Sequence, residues 1–160
     1  MFKIGDYSTH PMHGAGVIES IVTKKINGSQ RDYYVLKLPV GDMVVMVPVS
    51  GCEDIGVRSI ISRSEAEKLF SAFSEIEISM TQNWNKRYRE NMDKIKSGNL
   101  LDVASVVKGL MCRDSERGLS TSERKMLHSA KQILISELVI ATDMDYDGVE
   151  KRLCAALKEG

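Results

Sequence analysis

GVRSIISRSEAEKLFSAF, residues Gly56 to Phe73, is where the chain changes character. Up to Ile61 the apolar residues follow the two-residue period of a strand, and from Ser62 the period becomes about 3.6. Ser62-Arg63-Ser64-Glu65 is a capping-box pattern, with a serine to accept from the first turn and a glutamate three residues on to reach back. It predicts a helix running to about Phe73. A single change of period near residue 60 divides the chain into a β region, 1–60, and a helical region, 61–160. The fold class expected is therefore α+β.

Towards the N-terminus, short β-rich runs alternate with turn signals. Gly5-Asp6 precedes a strand at Tyr7-Ser8-Thr9-His10, which Pro11 stops. A second strand, Val17 to Lys24, follows the Gly14-Ala15-Gly16 bend. Asn27-Gly28 predicts a hairpin turn into Arg31–Leu38, where Tyr34, Leu36 and Leu38 alternate with Tyr33, Val35 and Lys37. Met43 to Val49 is a fourth strand, and Gly56–Ile61 a short fifth. Four or five short strands joined by tight turns predict a small, bent β-barrel.

Towards the C-terminus, Ser74 to Thr81 is an irregular connection. Next comes NWNKRYRENMDKIKS, Asn83 to Ser97, a helix of about four turns with Asn83 as N-cap and Gly98 just beyond its end. Trp84, Tyr88, Met92 and Ile95 fall on one face. Asn99 caps a helix ending near Arg117-Gly118, with Leu100, Val103, Val106, Val107, Leu110 and Met111 on one side. Ser120-Thr121-Ser122-Glu123 repeats the capping box and opens a helix to about Ala141. Its broad apolar stripe, from Met126 to Val139 and Ile140, makes it central to the helical region. Asp143 or Asp145 caps a last helix, with Tyr146, Val149, Leu153 and Leu157 facing inward.

The 160 residues carry no net charge, but residues 83–131 hold an excess of +5, flanked by acidic segments. One basic block suits local contact with a polyanion, while an overall charge of zero implies weak unaided DNA affinity. Three widely spaced cysteines, Cys52, Cys112 and Cys154, without CxxC spacing, predict reduced thiols in a cytoplasm. The N-terminus has no apolar segment of signal-peptide type, and no apolar run approaches the roughly 20 residues of a membrane span.

Catalytic signatures are missing. There is no GxSxG, HExxH or Walker pattern, and His128 has no nucleophile or carboxylate at useful spacing. His10 and His13 bracket a turn with no third metal ligand nearby. Asp143-Met144-Asp145-Tyr146-Asp147-Gly148 matches half of a calcium loop, but Cys154 stands where its bidentate glutamate belongs. A non-enzymatic protein, with no cofactor, no metal and no small-molecule substrate, is expected.

The chain's single tryptophan therefore carries the most information. Trp84 opens a helix rich in Lys86, Arg87, Arg89, Lys94 and Lys96. An exposed indole there can wedge between bases while the cations hold phosphates. A packed indole under a solvated face fits the same pattern, and then the molecule is a protein-interaction module with a structural helical scaffold.

Three motifs, in order, resemble the CarD-like bacterial transcription regulators. They are Lys3-Ile4-Gly5-Asp6-Tyr7 with His10-Pro11-Met12-His13-Gly14-Ala15-Gly16-Val17-Ile18; Asn83 to Arg89 with Lys94 and Ser97-Gly98; and Arg113-Asp114 through Glu116-Arg117-Gly118-Leu119-Ser120 to Leu127. The resemblance implies a Tudor-like N-terminal domain that docks on the β subunit of RNA polymerase. It also implies a helical domain that meets promoter DNA at the upstream edge of the melted bubble and stabilises the open complex. It makes Trp84 the wedge, Lys86, Arg87, Arg89 and Arg124 the DNA contacts, and Lys24 and Met46 the polymerase contacts. Family members often carry a basic residue where Met46 stands.

Overall fold

A computed structural model describes residues 2–78 and 81–159. The β region forms β1 (Tyr7–His10), β2 (Gly14–Ile26), β3 (Ser29–Leu38), β4 (Met43–Pro48) and β5 (Arg58–Ser59), with a single helical turn, α1 (Cys52–Ile55), before β5. The helical region forms α2 (Arg63–Phe73), α3 (Trp84–Lys96), α4 (Leu100–Arg117), α5 (Thr121–Thr142) and α6 (Tyr146–Glu159). The change of period at Ser62 falls between β5 and α2. Of the connection expected from Ser74 to Thr81, Ser79 and Met80 lie outside the described residues.

The strands make one antiparallel sheet in the order β4-β3-β2-β1-β5. Asn27 and Gly28 both take positive φ, 51° and 81°, the geometry that lets a two-residue turn follow the strands' twist. The hairpin is longer than its alternation suggested, and pairing continues out to Ile26–Ser29 with exposed side chains, polar but for Ile26. A bulge between Ile18 and Ser20 shifts the register of β2 against β3 and bends the sheet. Tyr34, Leu36 and Leu38 point inward as their alternation requires, and they join Ile18, Val47, Cys52 and Val57 in a small core. Turn α1, only four residues long, carries no apolar period by which the sequence could signal it. Left-handed glycines, Gly51 and Gly56, flank it.

Five helices enclose the larger core. Ser62 caps α2 with both reciprocal bonds of the box in place. Asn83 accepts from Lys86 N at 3.0 Å and Asn99 from Leu101 N at 2.9 Å, so both asparagines cap as their positions predicted. Asp145, not Asp143, starts α6, because its Oδ1 accepts from Gly148 N at 2.7 Å. Asp143 ends α5 instead, in the left-handed conformation.

Helix α5 is central to the fold, packing against α2, α4, α6 and strand β2. Ile133 through Leu138 are consecutively buried, including the polar Ser136 and Glu137. These two join the sheet to the helices. Ser136 Oγ accepts from Ala15 N at 2.8 Å and donates to Ile133 O at 2.9 Å. Gly14, at φ 102°, sits so close that an added Cβ would lie 2.6 Å from that hydroxyl. Glu137 is fully buried. It takes a bidentate pair from Arg58 at 2.8 and 2.9 Å and a third bond from Ile61 N at 2.8 Å. Arg58 Nε also donates to Gly98 O at 3.0 Å. A buried carboxylate with three good donors is stable, whereas one stripped of its arginine is not, at a cost of about 3–5 kcal/mol.

Candidate nucleic-acid interface

Trp84 is the first residue of α3 and keeps 41% of its surface exposed. One face of the indole stacks on Tyr88, one helical turn on, with ring centroids 5.3 Å apart and planes 20° from parallel. Its Nε1 donates to Ser120 Oγ, the N-cap of α5, at 3.3 Å. The ring is therefore on the surface and supported from below.

Arg87 corrects the sequence expectation. The family resemblance makes it a DNA contact, yet it is only 2% exposed. Its Nε and Nη2 donate to the two oxygens of Glu123 at 3.0 and 3.2 Å, and its Nη1 donates to the carbonyls of Thr81 and Gln82, both at 3.1 Å. Four of its five N–H groups are engaged inside the protein, and its burial keeps the guanidinium from a phosphate. The innermost line of α3 runs Arg87–Asn91–Ile95, with Tyr88 and Met92 as half-buried flanks. The helix is thus turned from the orientation its apolar stripe predicted. A charge can take that inner place because Glu123 and two carbonyls satisfy the guanidinium. Burial by itself would push the Glu123 carboxyl up. Hydrogen bonding and charge from Arg87, with the charge of Arg113, outweigh it and hold the pKa below the ordinary value.

Lys86 and Arg89, on the same helix, are exposed, as are Lys94 and Lys96. Arg124 is exposed in the first turn of α5, with one amine donating to Leu119 O at 3.1 Å. Beside it, Thr121, Lys125, His128 and Ser129 line a shallow open recess. The structure thus gathers Trp84, through Ser120, with the start of α5 and its cations. The sequence shows Ser120 only as a helix cap, because only the tertiary structure brings its hydroxyl to the indole. Part of the basic excess of residues 83–131 is internal. Lys108 is buried, and its ammonium donates to Ser74 O and Ile76 O at 2.9 and 2.8 Å, beyond the end of α2.

The two residues expected at a polymerase surface are not adjacent. Both Lys24, on β2, and Met46, on β4, are exposed. Met46 lies in a row with Val35 and Ser20, whereas Lys24 pairs with Arg31, four residues further along β2. Strand β4 is one edge of the sheet.

Residues 2–61 match the family model described as the CarD-like/TRCF RID domain, and residues 68–154 match the CarD C-terminal domain. The chain belongs to the CarD-like family. It is 38% identical over 140 residues to a Bacillus subtilis (strain 168) protein named "Putative transcription factor YdeB", an overlap covering 88% of this chain and 92% of that protein. Membership supports a role in regulating transcription, and the N-terminal sheet is the Tudor-like part of this CarD-like protein. None of its helices, among the described residues, is long and apolar enough to cross a membrane.

Proposed function

We propose that this CarD-like protein regulates transcription initiation by docking residues 1–60 on the β subunit of RNA polymerase while residues 61–160 contact promoter DNA. Trp84 enters the minor groove at the upstream edge of the melted bubble, and Lys86, Arg89 and Arg124 hold the backbone. The observation that carries this reading is the exposed, Tyr88-backed indole at the start of a helix whose outward cations flank it. A wedge of this kind suits a place where stacking is already broken, because unstacking an intact step costs about a few kcal/mol. Binding the open state more tightly than the closed one shifts the population towards it, tenfold for each 1.4 kcal/mol or so of preference.

The net charge of zero fits a tethered contact. Docking on polymerase raises the local concentration at the promoter, so few phosphate contacts are needed. The β4 edge, with Met46, offers unpaired backbone to a polymerase strand, and Lys24 extends the surface along the hairpin. The test is Trp84→Ala. Polymerase binding should persist and open-complex lifetime should fall. An unchanged lifetime sinks the wedge.

A further inference from the structure

We propose that Ser120 is a positioning residue for Trp84: its hydroxyl seats the indole edge and holds the ring in one rotamer before DNA arrives. The inference rests on the wedge reading for its functional consequence, but its structural content stands on separate observations.

A serine hydroxyl has one proton to give and two lone pairs to accept with. At Ser120 all three capacities are engaged. Oγ accepts from Trp84 Nε1 at 3.3 Å and from Glu123 N at 3.2 Å, and it donates towards Glu123 Oε1 at 3.4 Å. The Glu123 carboxylate is anchored by the buried Arg87 of α3, one turn beyond Trp84 itself. A closed ring of contacts results: Trp84 to Ser120, Ser120 to Glu123, Glu123 to Arg87, and Arg87 back along α3 to Trp84. With its own proton directed at Glu123 Oε1, the hydroxyl turns a lone pair towards the indole N–H.

Two supports, of different kinds, fix the ring. Stacking on Tyr88 sets the plane of the indole but tolerates sliding and turning over. The Nε1 bond is long, hence weak, but directional, and it selects which edge faces α5. An exposed side chain without such support distributes among roughly three staggered χ1 wells. If one well is competent to enter the groove, release of the seat lowers the competent fraction, and with it the apparent affinity of the wedge, by up to about threefold, since the Tyr88 stack remains.

The test uses the full chain and exploits its single tryptophan. Ser120→Gly removes the hydroxyl but keeps a residue well tolerated at an N-cap, so α5 still starts there. Ser120→Thr restores the hydroxyl. Time-resolved fluorescence anisotropy of the free proteins reads local motion of Trp84, and open-complex lifetimes with RNA polymerase read the consequence. Ser120→Gly should add a fast local component to the anisotropy decay and shorten the lifetime by up to about threefold. Ser120→Thr should restore both. An anisotropy decay in Ser120→Gly equal to the parent's overturns the seat. A freed indole with an undiminished lifetime, while Trp84→Ala shortens it, overturns the positioning role. A freed indole with lifetimes unchanged in both Ser120→Gly and Trp84→Ala supports the seat and removes the wedge reading on which its use depends.

Discussion

Ser62-Arg63-Ser64-Glu65 and Ser120-Thr121-Ser122-Glu123 have the same chemistry at the same spacing, each opening a helix, and the tertiary structure uses them differently. At α2 the serine and the glutamate answer one another. Ser62 Oγ accepts from Glu65 N at 3.1 Å, and Glu65 Oε1 accepts from Ser62 N at 3.2 Å, all in solvent. At α5 the serine still caps, but the glutamate is buried and its carboxylate faces Arg87 of α3. The local motif starts a helix in both cases. Its acidic member stays local only where nothing better is offered, and a guanidinium with no other way to be neutralised is a stronger claim on it.

Glu123→Ala should separate the two sites most. It leaves Arg87 buried without its carboxylate, so unfolding in urea should show a loss of about 3–5 kcal/mol. Glu65→Ala should barely move the midpoint, since the one partner of its side chain, Ser62 N, can turn to water and the Ser62 cap on Glu65 N remains. Equal effects would break the comparison.

Acid gives a smaller and graded contrast. The folded pKa of Glu123 is depressed, so its contribution is fully present above the unfolded value, about 4.3, and is lost as pH falls through the folded one. Glu123→Gln should therefore flatten the fall in stability below about pH 4. Glu65 is depressed too, chiefly by the backbone bond at Ser62. Added salt should leave that backbone bond largely intact. A parent and a Glu123→Gln protein with parallel acid profiles would place the titrating group elsewhere.

Substituting the serines sharpens the contrast by a different readout. Ser62→Ala and Ser120→Ala each lose an N-cap and should cost about 1 kcal/mol. Only Ser120→Ala should alter tryptophan emission, because only Ser120 touches Trp84. The smallest expected effect is that of Arg89→Ala, an exposed cation two residues from Arg87, whose unfolding midpoint should stay within about 0.5 kcal/mol of the parent's. At promoters, if the proposed DNA contact holds, Arg89→Ala should shorten the open-complex lifetime although it leaves stability unchanged.

Much of the fold was legible because it rests on short-range rules. Asn27-Gly28 needs no distant partner to make a tight turn, and Asn83, Asn99 and both S-x-S-E starts cap helices through bonds spanning two or three residues. The alternation of Tyr34, Leu36 and Leu38 sorted β3 into an inner and an outer face. Turn α1 escaped because four residues hold no period. The site was legible in part. Trp84 as a surface aromatic, with Lys86, Arg89 and Arg124 exposed, agrees with the basic block around it, but Arg87 looked the same as Arg89 in the sequence.

What the sequence by itself determined, then, is where α2 to α5 begin, where the β2–β3 turn falls and the change from strand to helix at residue 62, since caps, turns and periods act within one or two turns of chain. What only the tertiary structure decided is which polar groups lie inside: Arg87 with Glu123, and Glu137 with Arg58 and Ile61 N. Those partners are 36, 79 and 76 residues apart. Burying a charge is favourable only once its counterpart has arrived, and no local pattern records that arrival.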